Sequence, residues 1–161
     1  MSASNPAASN AASMKAVASG EIWPWSASIL AFGGTILMAI GLYFVFLRPP
    51  LLPEDARYMG TTLSALLAAV PGLLDWLQRV FWVMGGYMFA TGLLTLYVAC
   101  TTFRARVRGS ASIAALTGAT SIGLMAVVNF AIASDFKWLI LAFVFPWAFA
   151  LVLYRIEGRD S

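Results

Sequence analysis

Histidine is absent from this chain, and cysteine occurs once, at Cys100. Without histidine the commonest general base is missing, and so is the usual haem ligand. One cysteine cannot close an internal disulfide, and no Cys/His cluster exists to hold zinc. Four-span quinone-linked disulfide oxidases need cysteine pairs and four-span cytochromes need histidines, so both classes are excluded. Cys100 lies in an apolar run with no cation close by on its own helix, and reads as an inert apolar residue.

Charge is equally scarce. Charged residues make up 11% of the chain, against roughly 25% in soluble domains, and none falls inside the four long apolar runs described below. Proton- and ion-coupled carriers commonly rely on a carboxylate within the membrane. Four-helix multidrug carriers depend on such a glutamate, and these runs offer none. The cysteine motifs of tetraspanin- and claudin-like outer loops are missing too. Gly33-Gly34 and Gly85-Gly86 lie in apolar runs without the following Lys-Ser/Thr of a phosphate loop. The net charge of +3 is small and sits at run ends, so it reports on topology and not on nucleic-acid binding. No catalytic residue, metal or cofactor is expected, and the chain is not expected to be an enzyme.

What remains is a membrane composition, 61% hydrophobic, expected to form an all-α, integral membrane four-helix bundle. Residues 1–20 are rich in Ser, Ala and Asn with no apolar periodicity, and read as a disordered tail; Met14-Lys15 offers a second start. The apolar run that follows is too long for a secretory signal. Spans are expected at about 25–47, 80–102, 111–133 and 138–154, each long enough for most or all of a hydrocarbon layer about 30 Å thick. Residues 156–161 form a polar tail.

Three spans carry small residues at alternating spacings of four and three, which places them on one helix face where another helix can approach closely. The seams are Ala27, Ala31, Gly34, Met38, Gly41; then Gly85, Met88, Gly92, Thr95, Ala99, Thr102; then Ala115, Ala119, Ile122, Ala126, Asn129, Ala133. Asn129 is the most polar side chain inside any span. It is expected to hydrogen-bond across helices, with Thr95, Ser28 or a backbone carbonyl as partner; as a solute site it would be joined by Thr95 and Thr35. In the fourth span Pro146 should kink the helix, with its aromatic neighbours Phe143, Phe145, Trp147 and Phe149 facing lipid.

Between the first two spans, Arg48-Pro49-Pro50 stops one helix and Pro53-Glu54-Asp55 opens another. Met59, Leu63, Leu66, Leu67 and Val70 recur at helical spacing, which predicts a single interfacial, extracytoplasmic helix over 54–70, ended by Pro71-Gly72. Glu54, Asp55, Arg57 and Tyr58 form a candidate recognition patch, with the Asp75/Arg79 pair beside the second span as an ion pair or vestibule lining. The turn Phe103–Gly109 holds Arg104, Arg106 and Arg108. Short basic loops stay inside, so this turn and both termini are expected in the cytoplasm, together with Lys15, Arg155 and Arg159. Arg48, Arg57, Arg79 and Lys137 then lie outside.

The functional expectation is a non-enzymatic accessory or interaction subunit acting through helix packing. Its partners would be the lipid bilayer and other membrane subunits, or a second copy in a homo-oligomer. The alternative is a pore or facilitator for a neutral or apolar small solute. The two differ in a mid-membrane cavity reached by Asn129, Thr95 or Thr35. Small size and the lack of an organelle signal point to a bacterial cytoplasmic membrane.

Overall fold

The computed structural model describes residues 23–158. The expected disordered tail, the second start at Met14, and the charges of Lys15 and Arg159 lie outside them. The described residues form six helices and no strand. α1 is Trp25–Phe46, α2 Pro53–Tyr58, α3 Leu63–Ala69, α4 Leu73–Phe103, α5 Ser110–Ala131 and α6 Lys137–Glu157. The last turn of α4, Ala99–Phe103, and the middle of α5, Ala119–Gly123, are wound as π-helix. α1, α4, α5 and α6 are each long and apolar enough to cross a membrane, so the chain is a multi-pass membrane protein in contact with lipid. The second span helix starts at Leu73, earlier than the expected 80, because Asp75 and Arg79 are absorbed into its first turns.

α1 is the central helix, packed on α4 along one side and on α6 along another. Its contact with α4 is a contact of backbones. A Cβ placed on Gly34 would sit 2.9 Å from the carbonyl oxygen of Gly92, and one on Gly92 would sit 2.6 Å from that of Gly34. Seven residues along, Gly41 and Gly85 stand in the same relation, at 2.7 and 2.6 Å. The two helices are therefore antiparallel, with Ala27 and Ala99 fully buried towards the far end of the same seam. The first two predicted small-residue seams pair with each other as far as Ala99; Thr102, the last member of the second, is exposed, and after the π-turn Phe103 is buried instead. Apolar burial gives helices little reason to associate in lipid, where the tails are as apolar as leucine; close backbone approach and dispersion supply it instead.

The third seam is corrected by the structure. Ala115, Ala119 and Ala133 are exposed, and the buried face of α5 runs Ser110, Ala114, Gly118, Ile122, Ala126. The π-turn supplies the reason. It adds one residue to a helical turn, which rotates the earlier half of α5 relative to the later half. A seam extrapolated backwards from Asn129 through this turn lands on the wrong face. Trp147 decides which face wins. Its indole packs over the Gly118 backbone and the Gly33 backbone, and its Nε1–H donates to the Ala114 carbonyl at 2.8 Å. Trp147 is buried, against the expectation that it faces lipid; Phe145 and Phe149 are exposed as expected.

The single interfacial helix over 54–70 is instead two, α2 and α3. Gly60 takes φ +71°, a left-handed conformation that ends α2. Thr62 then caps α3, its Oγ1 accepting from the Ala65 N–H at 3.2 Å. α3 buries no residue, whereas α2 is anchored, as described below.

The glycine seam carries a test. Gly41→Ala or Gly85→Ala forces a methyl group into a backbone and should cost about 1–3 kcal/mol of bundle stability. Gly86, one residue further round α4, meets nothing within 4 Å, so Gly86→Ala should be neutral or slightly stabilising. Unfolding titrations in mixed micelles would measure both. Equal losses at Gly85 and Gly86 would argue against the backbone contact.

Candidate functional site

Several hydroxyls within the spans bond carbonyls of their own helices, whereas at one end of the bundle Ser110 meets the Tyr154 hydroxyl and Ser26 the Glu157 carboxylate. Thr35 Oγ1 donates to the Ala31 carbonyl at 3.0 Å and Thr95 Oγ1 to that of Thr91 at 2.8 Å. Thr91, Thr101, Thr120 and Ser121 do the same. A hydroxyl that bonds the carbonyl four residues back is satisfied without a partner helix. These groups therefore line no polar path. Thr95 is buried in the α1–α4 seam and Thr35 is exposed on α1, so neither stands with Asn129.

Asn129 follows the same habit. Its Nδ2 donates to the Met125 carbonyl at 2.8 Å; the partner is a backbone carbonyl, one of the three expected, but on the same helix, and no bond to Thr95 or Ser28 occurs among the described residues. Asn129 also lines a cavity of about 550 Å³, within the usual range of roughly 300–1,000 Å³ for small-molecule sites. The cavity lies between α1, α5 and α6 and beneath α2. It exists because α1 and α5 do not pack closely on one another. Trp147 fills the space between them at mid-height, and beyond it the space opens.

The walls are graded. Ile36, Met125 and Phe143 line the deep end, Ile40, Leu139 and Ile140 the middle, and Tyr43, Arg48, Leu52, Glu54 and Asp55 the end under α2. Three charged side chains converge there, and each owes its position to a different cause. Asp55 Oδ2 accepts from the Leu52 N–H at 2.8 Å, a reciprocal cap that holds the start of α2. Glu54 is buried and turns to another helix: Oε1 accepts from Ser134 Oγ at 3.0 Å and Oε2 from the Asp135 N–H at 2.8 Å. Both donors belong to the turn just before α6, so Glu54 caps the α6 start from outside. Ala133, at φ +52°, ends α5 beside it, and fully buried Ser134 is held in that turn. Arg48 lies across the Phe81 ring at 3.7 Å and the Phe44 ring at 5.1 Å. Burial lowers its pKa from the ordinary value, against the opposing pull of Asp55, Tyr43 and Glu54; the guanidinium stays charged.

The recognition patch read from the sequence is thus divided. Glu54 and Asp55 face inward and serve the cavity mouth. Arg57 reaches Asp135 Oδ1 at 3.0 Å in an exposed pair, worth little on its own. Tyr58 is exposed. Asp75 and Arg79 lie on α4 and do not line this mouth, and Arg79 Nη1 donates to the Asp75 backbone carbonyl at 3.2 Å, not to its carboxylate. Sequence reasoning missed Arg48 as a site residue. Its signal was the flanking pattern of Phe44 and the di-proline, which halts the helix with the arginine held at the apolar edge.

The opposite end of the bundle is closed by a second carboxylate. Glu157, in the last turn of α6, accepts from the Ser26 N–H at 3.1 Å and from Ser26 Oγ at 2.5 Å, capping the start of α1. Arg106, at φ +52°, pairs with Glu157 at 3.1 Å and donates to the Tyr154 carbonyl at 2.8 Å. No group of three metal-ligating side chains occurs among the described residues. No family model, curated protein or solved structure matches the chain, so the cavity is read from its own geometry.

Glu54 holds the roof of the cavity, and removing it is informative. Glu54→Ala leaves Ser134 Oγ and the Asp135 N–H without their acceptor and should cost about 1–3 kcal/mol. Hydrogen exchange should quicken first in α2 and in the 132–136 turn. Unchanged protection there would show that α2 is held by other contacts.

Proposed function

We propose that this protein is a non-enzymatic membrane protein that takes an apolar or amphiphilic small solute into the cavity between α1, α5 and α6. The observation that carries this reading is the cavity itself: about 550 Å³, graded from apolar to charged and roofed by α2. It is a holding site or a facilitator's binding stage, not an aqueous pore. Trp147 plugs the bundle below it, and the span hydroxyls are spent on their own carbonyls. Asn129 is the polar contact at mid-depth.

A second reading, an accessory or assembly subunit, keeps one observation in its favour. Ala115 and Ala119 face outward from α5 and leave a small-residue surface for a partner helix or a second copy. The seams on α1 and α4 no longer support it, since they face each other.

The proposed orientation puts the arginine turn of residues 104–108 in the cytoplasm and α2 and α3 outside, following the bias of short basic loops. A bacterial cytoplasmic membrane is the proposed location. In a Cys100→Ala background, Ser64→Cys should react with an impermeant reagent on intact cells, and Val107→Cys should react only after permeabilisation; both positions are exposed. The reverse pattern would invert the orientation.

The binding reading is tested with a long-chain alcohol bearing a diazirine, photolysed with the protein in lipid nanodiscs. Labelling should saturate and map to Ile40, Met125 and Phe143. Ala39→Trp, which fills the cavity from its α1 wall, should remove it. Labelling spread evenly over the lipid-facing surface, and indifferent to Ala39→Trp, would refute the reading.

A further inference from the structure

Asn129 keeps one atom unspent. Its Nδ2 donates to the Met125 carbonyl at 2.8 Å. A backbone carbonyl can only accept, so the amide must turn its nitrogen to Met125, and the other end is then Oδ1. Oδ1 accepts from no group among the described residues. Every side-chain nitrogen or oxygen that is cut off from the surface among those residues has a partner, so Oδ1 is not sealed inside the bundle. Asn129 is half-buried and lines the cavity. Its neighbours along α5 in the cavity wall are Met125 and Ile132, and α1 and α6 contribute Ile40 and Ile140. None of these side chains can donate a hydrogen bond, so an open acceptor stands in an apolar wall, where a donor has to come from the occupant.

The charges at the mouth argue for an uncharged solute. One positive and two negative side chains line it, Arg48, Glu54 and Asp55, so an anion meets net repulsion. Arg48 stands 3.8 Å from Asp55 as an ion pair, and both Glu54 oxygens accept from Ser134 and Asp135. Both acids also act on the Arg48 guanidinium, so a cation placed on either would be set against it.

Resting on the binding reading above, we propose that the solute is an uncharged amphiphile with a hydroxyl group, a long-chain alcohol, whose O–H donates to Asn129 Oδ1 while its apolar body lies against Ile36, Met125 and Phe143. A single amide in an apolar wall matches a single hydroxyl on an apolar chain. An ether of the same length can accept but not donate. It would leave Oδ1 unpaired and set a second acceptor against it, which is how a site built around a hydroxyl rejects the analogue that lacks one.

The test uses three diazirine-bearing probes of one chain length: the alcohol, its methyl ether and the primary amine, which is protonated at neutral pH. Each is photolysed with the protein in nanodiscs of zwitterionic lipid. Labelling at Met125 and Phe143 is scored against labelling at Leu94, which is exposed on α4 and reports how much of each probe enters the lipid. On that scale the alcohol should saturate the cavity at a concentration about fivefold lower than the ether, the size of one neutral hydrogen bond. In Asn129→Leu, which roughly keeps the side chain's bulk and removes the acceptor, alcohol and ether should become equal. Equal labelling by alcohol and ether in the wild-type protein would overturn the hydroxyl assignment and leave the cavity reading standing. An alcohol preference that survives Asn129→Leu would place the hydroxyl elsewhere and refute the role of Asn129. An amine that saturates the cavity at a lower concentration than the alcohol would refute the uncharged assignment. Failure of all three probes to label the cavity saturably would end both readings. The wild-type ratio of alcohol to ether decides the hydroxyl question even if Asn129→Leu folds poorly.

Discussion

The contact between the α1 and α4 backbones at Gly34/Gly92 and Gly41/Gly85 is the constraint on which the bundle depends. In lipid, burying leucine against leucine stabilises little, because the solvent is equally apolar. Shape has to do the selecting. Two glycine pairs seven residues apart let the helices approach until each glycine carbonyl occupies the other helix's Cβ position. That locks α1 and α4 in register. α6 then docks on a second face of α1 through Trp147 on Gly33, and α5 docks on α6 through the same indole on Gly118. Because α5 is held by α6 and not by α1, a gap between α1 and α5 follows, and the gap is the cavity.

The ends of the bundle obey a different rule. The first N–H groups of a helix lack partners within it, and where two helices begin, a carboxylate from a distant part of the chain supplies them. Glu157 serves α1 and Glu54 serves the turn that starts α6. Each ties the start of one span to a segment far away in sequence, where water and headgroups lower the cost of a charge. The interior of the spans carries no such device. Thr95 and Asn129 bond their own helices, whereas the Trp147 indole on the Ala114 carbonyl and the Ser110–Tyr154 hydroxyl pair join α5 to α6.

These two rules meet at Arg48. The di-proline ends the chain's helical course just past α1, so the guanidinium stays at the apolar edge, pressed on Phe81 and Phe44. Asp55 stands 3.8 Å from it as an ion pair, while Asp55 also holds the start of α2 and Glu54 the turn before α6. The same short segment roofs the bundle with α2 and lines the cavity mouth.

Four spans, the breaks between them and the seams of α1 and α4 were legible in the sequence, because hydropathy, proline and the spacing of Gly34, Gly41, Gly85 and Gly92 are local properties that each helix carries alone. The seam of α5 was legible only on one side of its π-turn. An added residue in a turn leaves no mark in the spacing, and it is settled by the need to bring Gly118 beneath Trp147. The break at Gly60 was written in the chain but masked by the leucine periodicity that continues past it. The partners of Glu54, the burial of Trp147 and the cavity between α1 and α5 belonged to the tertiary structure. Each depends on which helices meet, and that is decided by the fit of surfaces distant in sequence, a quantity no single segment contains.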